Sequence, residues 1–352
     1  MTLGFHELTV SAVDHLTEDS VAVTFAVPEE LSETFAFQPG QHLTLRRVVD
    51  GEDLRRTYSV CASAVTGPLR VAVKQIEGGV FSTWVLDAVR PDDVLEVMPP
   101  AGSFGPRPSA DRQRSYGLIA AGSGITPMVS IAATVLEVEC RSEVVLLFGN
   151  RTSRDVMFLE ELSDLKDRFP TRLQVVHVLS REEQESELLS GRLDRERLGR
   201  IFESLVPVGS VDEWYLCGPF DLGMGAREVL AAAGATAVHV ELFHAEAPPP
   251  RPARAAAEAG ESTVVARLHG RTSTLTMNRD LKVLDAVLAV RGDAPYACRG
   301  GVCGTCRAKV LVGAVEMEVN YALEPDEIAA GIVLTCQSHP VTAELELEFL
   351  GG

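Results

Sequence analysis

The sequence predicts a multidomain chain: an antiparallel β-barrel, an α/β domain built on a parallel sheet, and an α+β domain. Three observations carry this. Residues 1–110 hold short alternating runs such as Leu8–Val10, Val21–Phe25 and Leu69–Lys74, punctuated at Pro39-Gly40, Gly67-Pro68 and Pro99-Pro100, which is the pattern of short antiparallel strands closing into a small barrel. Residues 111–246 change to strands alternating with helical patterns, as a parallel sheet with crossover helices requires. Residues 263–352 follow a Pro- and Ala-rich tether at 247–262 and carry three cysteines between Cys298 and Cys306.

The barrel segment contains two stretches with chemistry in them. Arg56 and Tyr58 share one face of a strand and Ser59 faces away. An arginine suits a phosphate and a tyrosine ring suits a flat heterocycle, although an exposed arginine beside a half-buried tyrosine reads the same way. The second stretch runs from Lys74 through Gly78 and Gly79 to Phe81, Ser82 and Thr83. It passes from a strand through a double glycine into a helix, with Ser82 and Thr83 as caps. Such a start offers bare N–H groups to a diphosphate, and an ordinary capped helix has the same signature.

In the second segment the strand Ser115–Ala121 runs into Gly122-Ser-Gly124-Ile-Thr126-Pro127 and then a helix. Strand, glycine turn and helix together form the setting of a dinucleotide loop, with Thr126 expected at the N-cap and Pro127 at the first helical position. The next strand, Val144–Gly149, ends at Arg151 and Arg154, where an NAD site usually places an acid. Two arginines there suit a 2′-phosphate and hence NADPH, with Asp155 close behind as a reason to read a solvated loop instead. Further strands fall at 173–179 and 213–217. The last ends in Cys217-Gly218-Pro219, and Cys217 is either a contact for a nicotinamide ring or an inert buried thiol.

The tether's composition is that of a semi-rigid linker. Beyond it, Cys298, Cys303 and Cys306 stand at C-x4-C-x2-C spacing, with Cys336 as the distant fourth. That is the ligand spacing of a plant-type [2Fe–2S] cluster; a tetrathiolate zinc site or a chance group of buried cysteines is the alternative. The remaining Cys61, Cys140 and Cys217 are scattered, so no disulfide framework is expected and a reducing cytoplasm is the natural compartment. The net charge of −18 over 352 residues argues against nucleic acid as a partner. Neither a signal peptide nor a membrane-spanning run is evident.

Nicotinamides give up two electrons as a hydride and an iron–sulfur cluster takes one, so a flavin is expected between them. Arg56-x-Tyr58-Ser59, Gly122–Pro127, Cys217-Gly218-Pro219 and the cysteine set resemble the ferredoxin–NADP reductase superfamily fused to a plant-type ferredoxin of β-grasp fold. Pro39–Leu45, Gly149–Ser153 and Asn320–Gly331 narrow the likeness to the family of reductase subunits of phenylacetyl-CoA epoxidases. The resemblance implies FAD held by Arg56, Tyr58, Ser59, Lys74, Gly79, Phe81 and Ser82, with Phe243 beside its ring system. It implies NADPH at Gly122, Gly124, Thr126, Pro127, Arg151, Arg154 and Cys217–Pro219, and the cluster on Cys298, Cys303, Cys306 and Cys336. On this view no residue is itself a catalytic group, and electrons leave for the oxygenase component of a multicomponent monooxygenase. A reductase for a steroid or aromatic-ring hydroxylase is the neighbouring possibility. A non-catalytic, redox-sensing cysteine module is the one from another class.

Overall fold

The alternating runs of the first segment become a six-stranded antiparallel sheet. A computed structural model describes residues 4–243 and 260–350, so most of the tether, residues 247–259, lies outside the described residues. The rest divides into two compact units, one of residues 6–54 and 58–243, the other of residues 260–350 with residues 4, 5 and 55–57.

In chain order the first sheet comprises β1 (His6–Thr17), β2 (Ser20–Ala26), β3 (His42–Val49), β4 (Glu52–Ser59), β5 (Arg70–Lys74) and, after helix α1 (Val80–Ala88), β6 (Val94–Val97). Its spatial order is β4-β3-β6-β1-β2-β5. Val60 bridges Val71 of β5, and the Cys61 amide donates to the Arg70 carbonyl at 2.9 Å. These contacts draw the two edges together, which is how a small antiparallel sheet disposes of its unpaired strands. Leu8, Val10, Val21, Val23, Leu43, Val71, Val73 and Val97 are fully buried inside it. Burial of each such side chain contributes roughly 1.5–3 kcal/mol.

The second sheet is wholly parallel: β7 (Ser115–Ala121), β8 (Glu143–Asn150), β9 (Leu173–Leu179), β10 (Glu213–Gly218) and β11 (Val238–Leu242), in the order β11-β10-β7-β8-β9. Helices α2 (Ile125–Val138), α3 (Leu159–Arg168), α4 (Arg195–Ser204) and α5 (Phe220–Ala232) connect them. Alternate residues of β7 face opposite cores. Leu118 and Ala120 pack with Met128 and Ile131 of α2 and Leu162 of α3, whereas Ile119 packs with Leu198 of α4 and Leu222 of α5. The chain crosses from β9 on one side of β7 to β10 on the other, so the switch point falls between β7 and β10, where open sheets of this kind bind ligands. Helix α2 also seals the barrel to the parallel sheet. Ala22, Cys61 and Ala72 share its core, the Ala64 amide donates to Thr134 Oγ1 at 2.9 Å, and Ser63 Oγ donates to Glu137 at 2.5 Å.

The other unit contains β12 (Glu261–Leu268), β13 (Arg271–Asn278), α6 (Val283–Leu288), β14 (Arg307–Val312), β15 (Val315–Met317), α7 (Pro325–Ala329), β16 (Ile332–Leu334), β17 (Ser338–Pro340) and β18 (Glu344–Phe349). Its main sheet runs β13-β12-β18-β14-β16, with β12 and β18 parallel and the other pairs antiparallel. Helix α6 buries Val283, Leu284 and Val287 against Val264, Ala266 and Leu347. The first strand opens at Glu261, so the last two residues of the 247–262 stretch are strand, not tether. Among the described residues no helix is long and apolar enough to cross a membrane.

Candidate functional site

On the barrel, Tyr58 is half-buried near the end of β4, its ring centroid 6.0 Å from that of Phe81. Phe81 in turn meets Trp84 edge-on at 5.4 Å. Phe81 is 2% exposed and belongs to the barrel core, so it backs Tyr58 and sits too deep to present its own face. Arg56 is exposed, and its guanidinium donates to the neighbouring Arg55 carbonyl at 2.8 Å. Lys74 is committed to Asp19 at 2.6 Å.

The caps differ from expectation. Helix α1 begins at Val80 with Gly79 at the N-cap, which places Ser82 and Thr83 inside the first turn. Ser82 Oγ accepts from the Ile76 amide at 3.1 Å and donates to the Gly79 carbonyl at 3.3 Å, so it braces the turn from within. A side chain on Gly79 would stand 2.7 Å from Ser82 Oγ. The turn is closed too tightly for anything larger, and its first N–H groups stay open to an anion.

Gly122–Gly124 form a 3₁₀ turn that leads straight into α2, with Gly124 at the N-cap. Thr126 is therefore the second helical residue and not the cap; its hydroxyl donates back to the Ser123 carbonyl at 3.1 Å. Gly122 is left-handed (φ +53°), and a Cβ on Gly124 would lie 2.1 Å from the Cys217 carbonyl oxygen. The turn is thus pressed onto the end of β10, beside Gly218 and the exposed Pro219 that starts α5. At the adjoining end of β8, Asn150 Nδ2 is buried with no protein acceptor. An orphaned donor and a turn framed by two glycines at the switch point fit a nucleotide's oxygens.

Backbone bonds from Ser180 to Asn150 and from Arg181 to Arg151 carry the β8–β9 ladder outward, which adds Arg181 to Arg151 and Arg154 at this edge. Arg151 bonds Asp155 at 2.7 Å and Asp19 at 3.3 Å. The Ser153 amide and hydroxyl both donate to Glu182, at 2.8 and 2.9 Å. Those bonds, the amide first, hold the Glu182 carboxyl below its ordinary value. Carboxylates thus occupy much of the edge that two arginines alone had suggested for a phosphate.

Sequence reading missed Glu241. It pairs in register with Cys217 across β10 and β11, and Ser59 Oγ donates to its carboxylate at 3.3 Å. Burial, with the Glu241 charge second, pushes the Cys217 thiol far up, so that thiol stays neutral. Phe243 follows two residues on, half-buried against the α2 core. Ser59, Cys217 and Glu241 therefore meet where the barrel and the parallel sheet adjoin.

In the other unit the four cysteines meet as two pairs, Cys298 with Cys303 and Cys306 with Cys336. Among the described residues no three ligand-type side chains converge on one ion. A binuclear cluster has two irons to share four thiolates, so paired sulfurs fit it. The Cys303 thiol and then the amides of Gly300, Val302 and Cys303 hold Cys298 down at about 6. Arg299, Gly301 and Gly304 are left-handed, which curls the loop so that its N–H groups turn toward sulfur.

Comparison with known proteins agrees along the whole chain. Residues 7–105 match the oxidoreductase FAD-binding domain, 118–228 the oxidoreductase NAD-binding domain and 266–341 the 2Fe-2S iron-sulfur cluster binding domain. Phthalate dioxygenase reductase has the same architecture, with a TM-score of 0.61 at 24% identity over 99% of this chain and 100% of that one. Fold and sites define an oxidoreductase that works with FAD, a nicotinamide nucleotide and a [2Fe–2S] cluster. A component of the 1,2-phenylacetyl-CoA epoxidase of Escherichia coli (strain K12) is 47% identical over 98% of both chains. The ferredoxin reductase component of 3-ketosteroid-9-alpha-monooxygenase from Rhodococcus rhodochrous is 38% identical over 97% of this chain and 96% of that one. The chain belongs to this family of reductase components of oxygenases, ferredoxin–NADP reductase-like enzymes fused to a 2Fe-2S ferredoxin.

Proposed function

We propose that this reductase takes its electrons from NADPH and delivers them to the oxygenase of a phenylacetyl-CoA epoxidase in the cytoplasm. The observation that carries the partner is 47% identity to the epoxidase component sustained over 98% of both chains. The donor reading is supported by Arg151, Arg154 and Arg181 at the carboxyl ends of β8 and β9. The functional limits are 1–110 for FAD, 111–246 for the nucleotide, 247–260 for the tether and 261–352 for the cluster, whose first strand opens at Glu261.

FAD supplies the step between a two-electron donor and a one-electron centre. Tyr58, backed by Phe81, offers a ring face to it, and Phe243 a second. Arg56, Lys74, Gly79 and Ser82 serve its phosphates, for which Lys74 must leave or share Asp19. Gly122–Pro127 take the nicotinamide nucleotide's diphosphate. Gly218 and Pro219 leave open the end of β10, and Cys217 lines it as a neutral thiol. Ser59 and Glu241 hold a hydroxyl and a carboxylate in one hydrogen bond there, which fixes both before a ring arrives. Cys298, Cys303, Cys306 and Cys336 ligate the cluster.

Coupling is the test. With purified phenylacetyl-CoA epoxidase oxygenase, NADPH oxidation should yield epoxide at higher kcat/KM than NADH oxidation. Coupled turnover with a steroid hydroxylase and none with the epoxidase would assign the other partner.

A further inference from the structure

Gln337 follows the fourth cysteine and is 2% exposed. Its Nε2 donates to the Arg299 carbonyl at 2.7 Å and reaches Cys336 Sγ at 3.6 Å, a normal separation for the larger sulfur atom. The first contact crosses to the three-cysteine loop at its left-handed residue Arg299, and the second stays with the fourth ligand. Glycine at 301 makes room: a Cβ there would stand 3.1 Å from Gln337 Cγ. The backbone of residue 337 is pinned as well, its amide to Leu334 and its carbonyl to the Glu318 amide.

The other end of the amide is costly. Gln337 Oε1 is buried with no partner, a loss that an apolar side chain of the same length would avoid. The reversed amide would set oxygen against both a carbonyl and a sulfur, so the two acceptors fix the orientation. A buried amide kept in place with an orphaned oxygen is there for its N–H groups.

We propose that Gln337 is a positioning residue for the cluster. Its N–H groups hold the fourth sulfur in register with the three-cysteine loop and donate to that sulfur, which raises the cluster's reduction potential and slows its loss. Hydrogen bonds to cluster sulfurs raise the potential because they favour the more negative reduced state. This rests on the reading of the four cysteines as ligands.

The experiment uses the full-length holoprotein and two substitutions of equal length that remove the donors, Gln337→Met and Gln337→Glu. The readouts are the EPR spectrum of the dithionite-reduced protein, the midpoint potential and the rate of iron release to a chelator. NADPH-driven reduction of a two-electron dye serves as the control for the other unit. Both variants should show a more negative midpoint, altered g-values and iron release about 10- to 100-fold faster, the usual cost of losing an outer partner of a metal ligand. Dye reduction should not change. Failure of both to retain a cluster with dye reduction intact is the same result at its limit. Wild-type potential, g-values and iron release in either variant would overturn the proposal, as would parallel loss of cluster and dye reduction, which marks a general packing residue. Wild-type protein with no [2Fe–2S] signal would instead sink the ligand reading.

Discussion

Replacing Gly124 by alanine tests whether the nucleotide turn works by close approach to β10. The added Cβ would lie 2.1 Å from the Cys217 carbonyl oxygen, 2.5 Å from its carbonyl carbon and 2.8 Å from the Gly218 nitrogen. All three are backbone atoms and none can swing aside. Restoring ordinary contact needs a separation of about 1 Å or more between the turn and the strand. Overpacking of this kind costs about 1–3 kcal/mol, a Tm lower by roughly 2–12 °C for a unit of this size. A shift of about 1 Å at a binding turn costs on the order of 100-fold in kcat/KM. The assay is steady-state dye reduction against NADPH concentration, with flavin content and Tm measured on the same preparation. Gly234→Ala is the control: that residue is left-handed (φ +86°), with nothing within 4 Å of its added Cβ, so it should cost about 1–2 kcal/mol of stability and leave kcat/KM alone. Wild-type kcat/KM in Gly124→Ala, or equal kinetic loss in both variants, would refute the steric argument.

Three further outcomes are expected. Cys303→Ser should abolish the cluster's EPR signal and electron delivery to the oxygenase while dye reduction by NADPH persists; loss of both would mean the two units do not act separately. Glu182→Gln removes the charge that occupies the donors of Ser153, so the KM for NADPH should fall by about 3- to 10-fold as those donors become available to a 2′-phosphate, and the KM for NADH should stay put. A fall in both would argue against a 2′-phosphate contact. The third concerns acid. Burial raises the Glu137 carboxyl, but hydrogen bonds from Ser63, Arg168 and Thr66 outweigh it and leave the carboxyl lowered. A carboxyl lowered in the folded state stabilises above its unfolded value, and that stability is lost as pH falls through the folded one. Glu137→Gln should therefore lower Tm at pH 7 and converge on wild type below about pH 4; a gap that is constant from pH 7 to 3 would contradict this.

Much of the molecule is legible in its sequence because several constraints are local. Ligand geometry dictates C-x4-C-x2-C spacing, and the strands Ser115–Ala121 and Leu173–Leu179 stand with the bounds that their apolar runs suggest. Long-range contacts are what the sequence conceals. Asp19 claims both Lys74 and Arg151, from 55 and 132 residues away, and no local pattern announces it. Glu241 looks like the polar phase of a short alternating strand; its role follows only from the pairing of β11 with β10 and the reach of Ser59 from the barrel. The caps went to glycines because a 3₁₀ turn and a double glycine extend the helix starts upstream of the hydroxyl residues that would otherwise have capped them.

Electrons follow a single route from nicotinamide through flavin to a [2Fe–2S] cluster. An anaerobic titration of the purified protein with NADPH, followed by visible absorption and EPR together, tests it most directly. The flavin bands should bleach and a plant-type [2Fe–2S] signal should grow in with them. A flavin that bleaches while the cluster stays oxidised, even with excess NADPH, would contradict it.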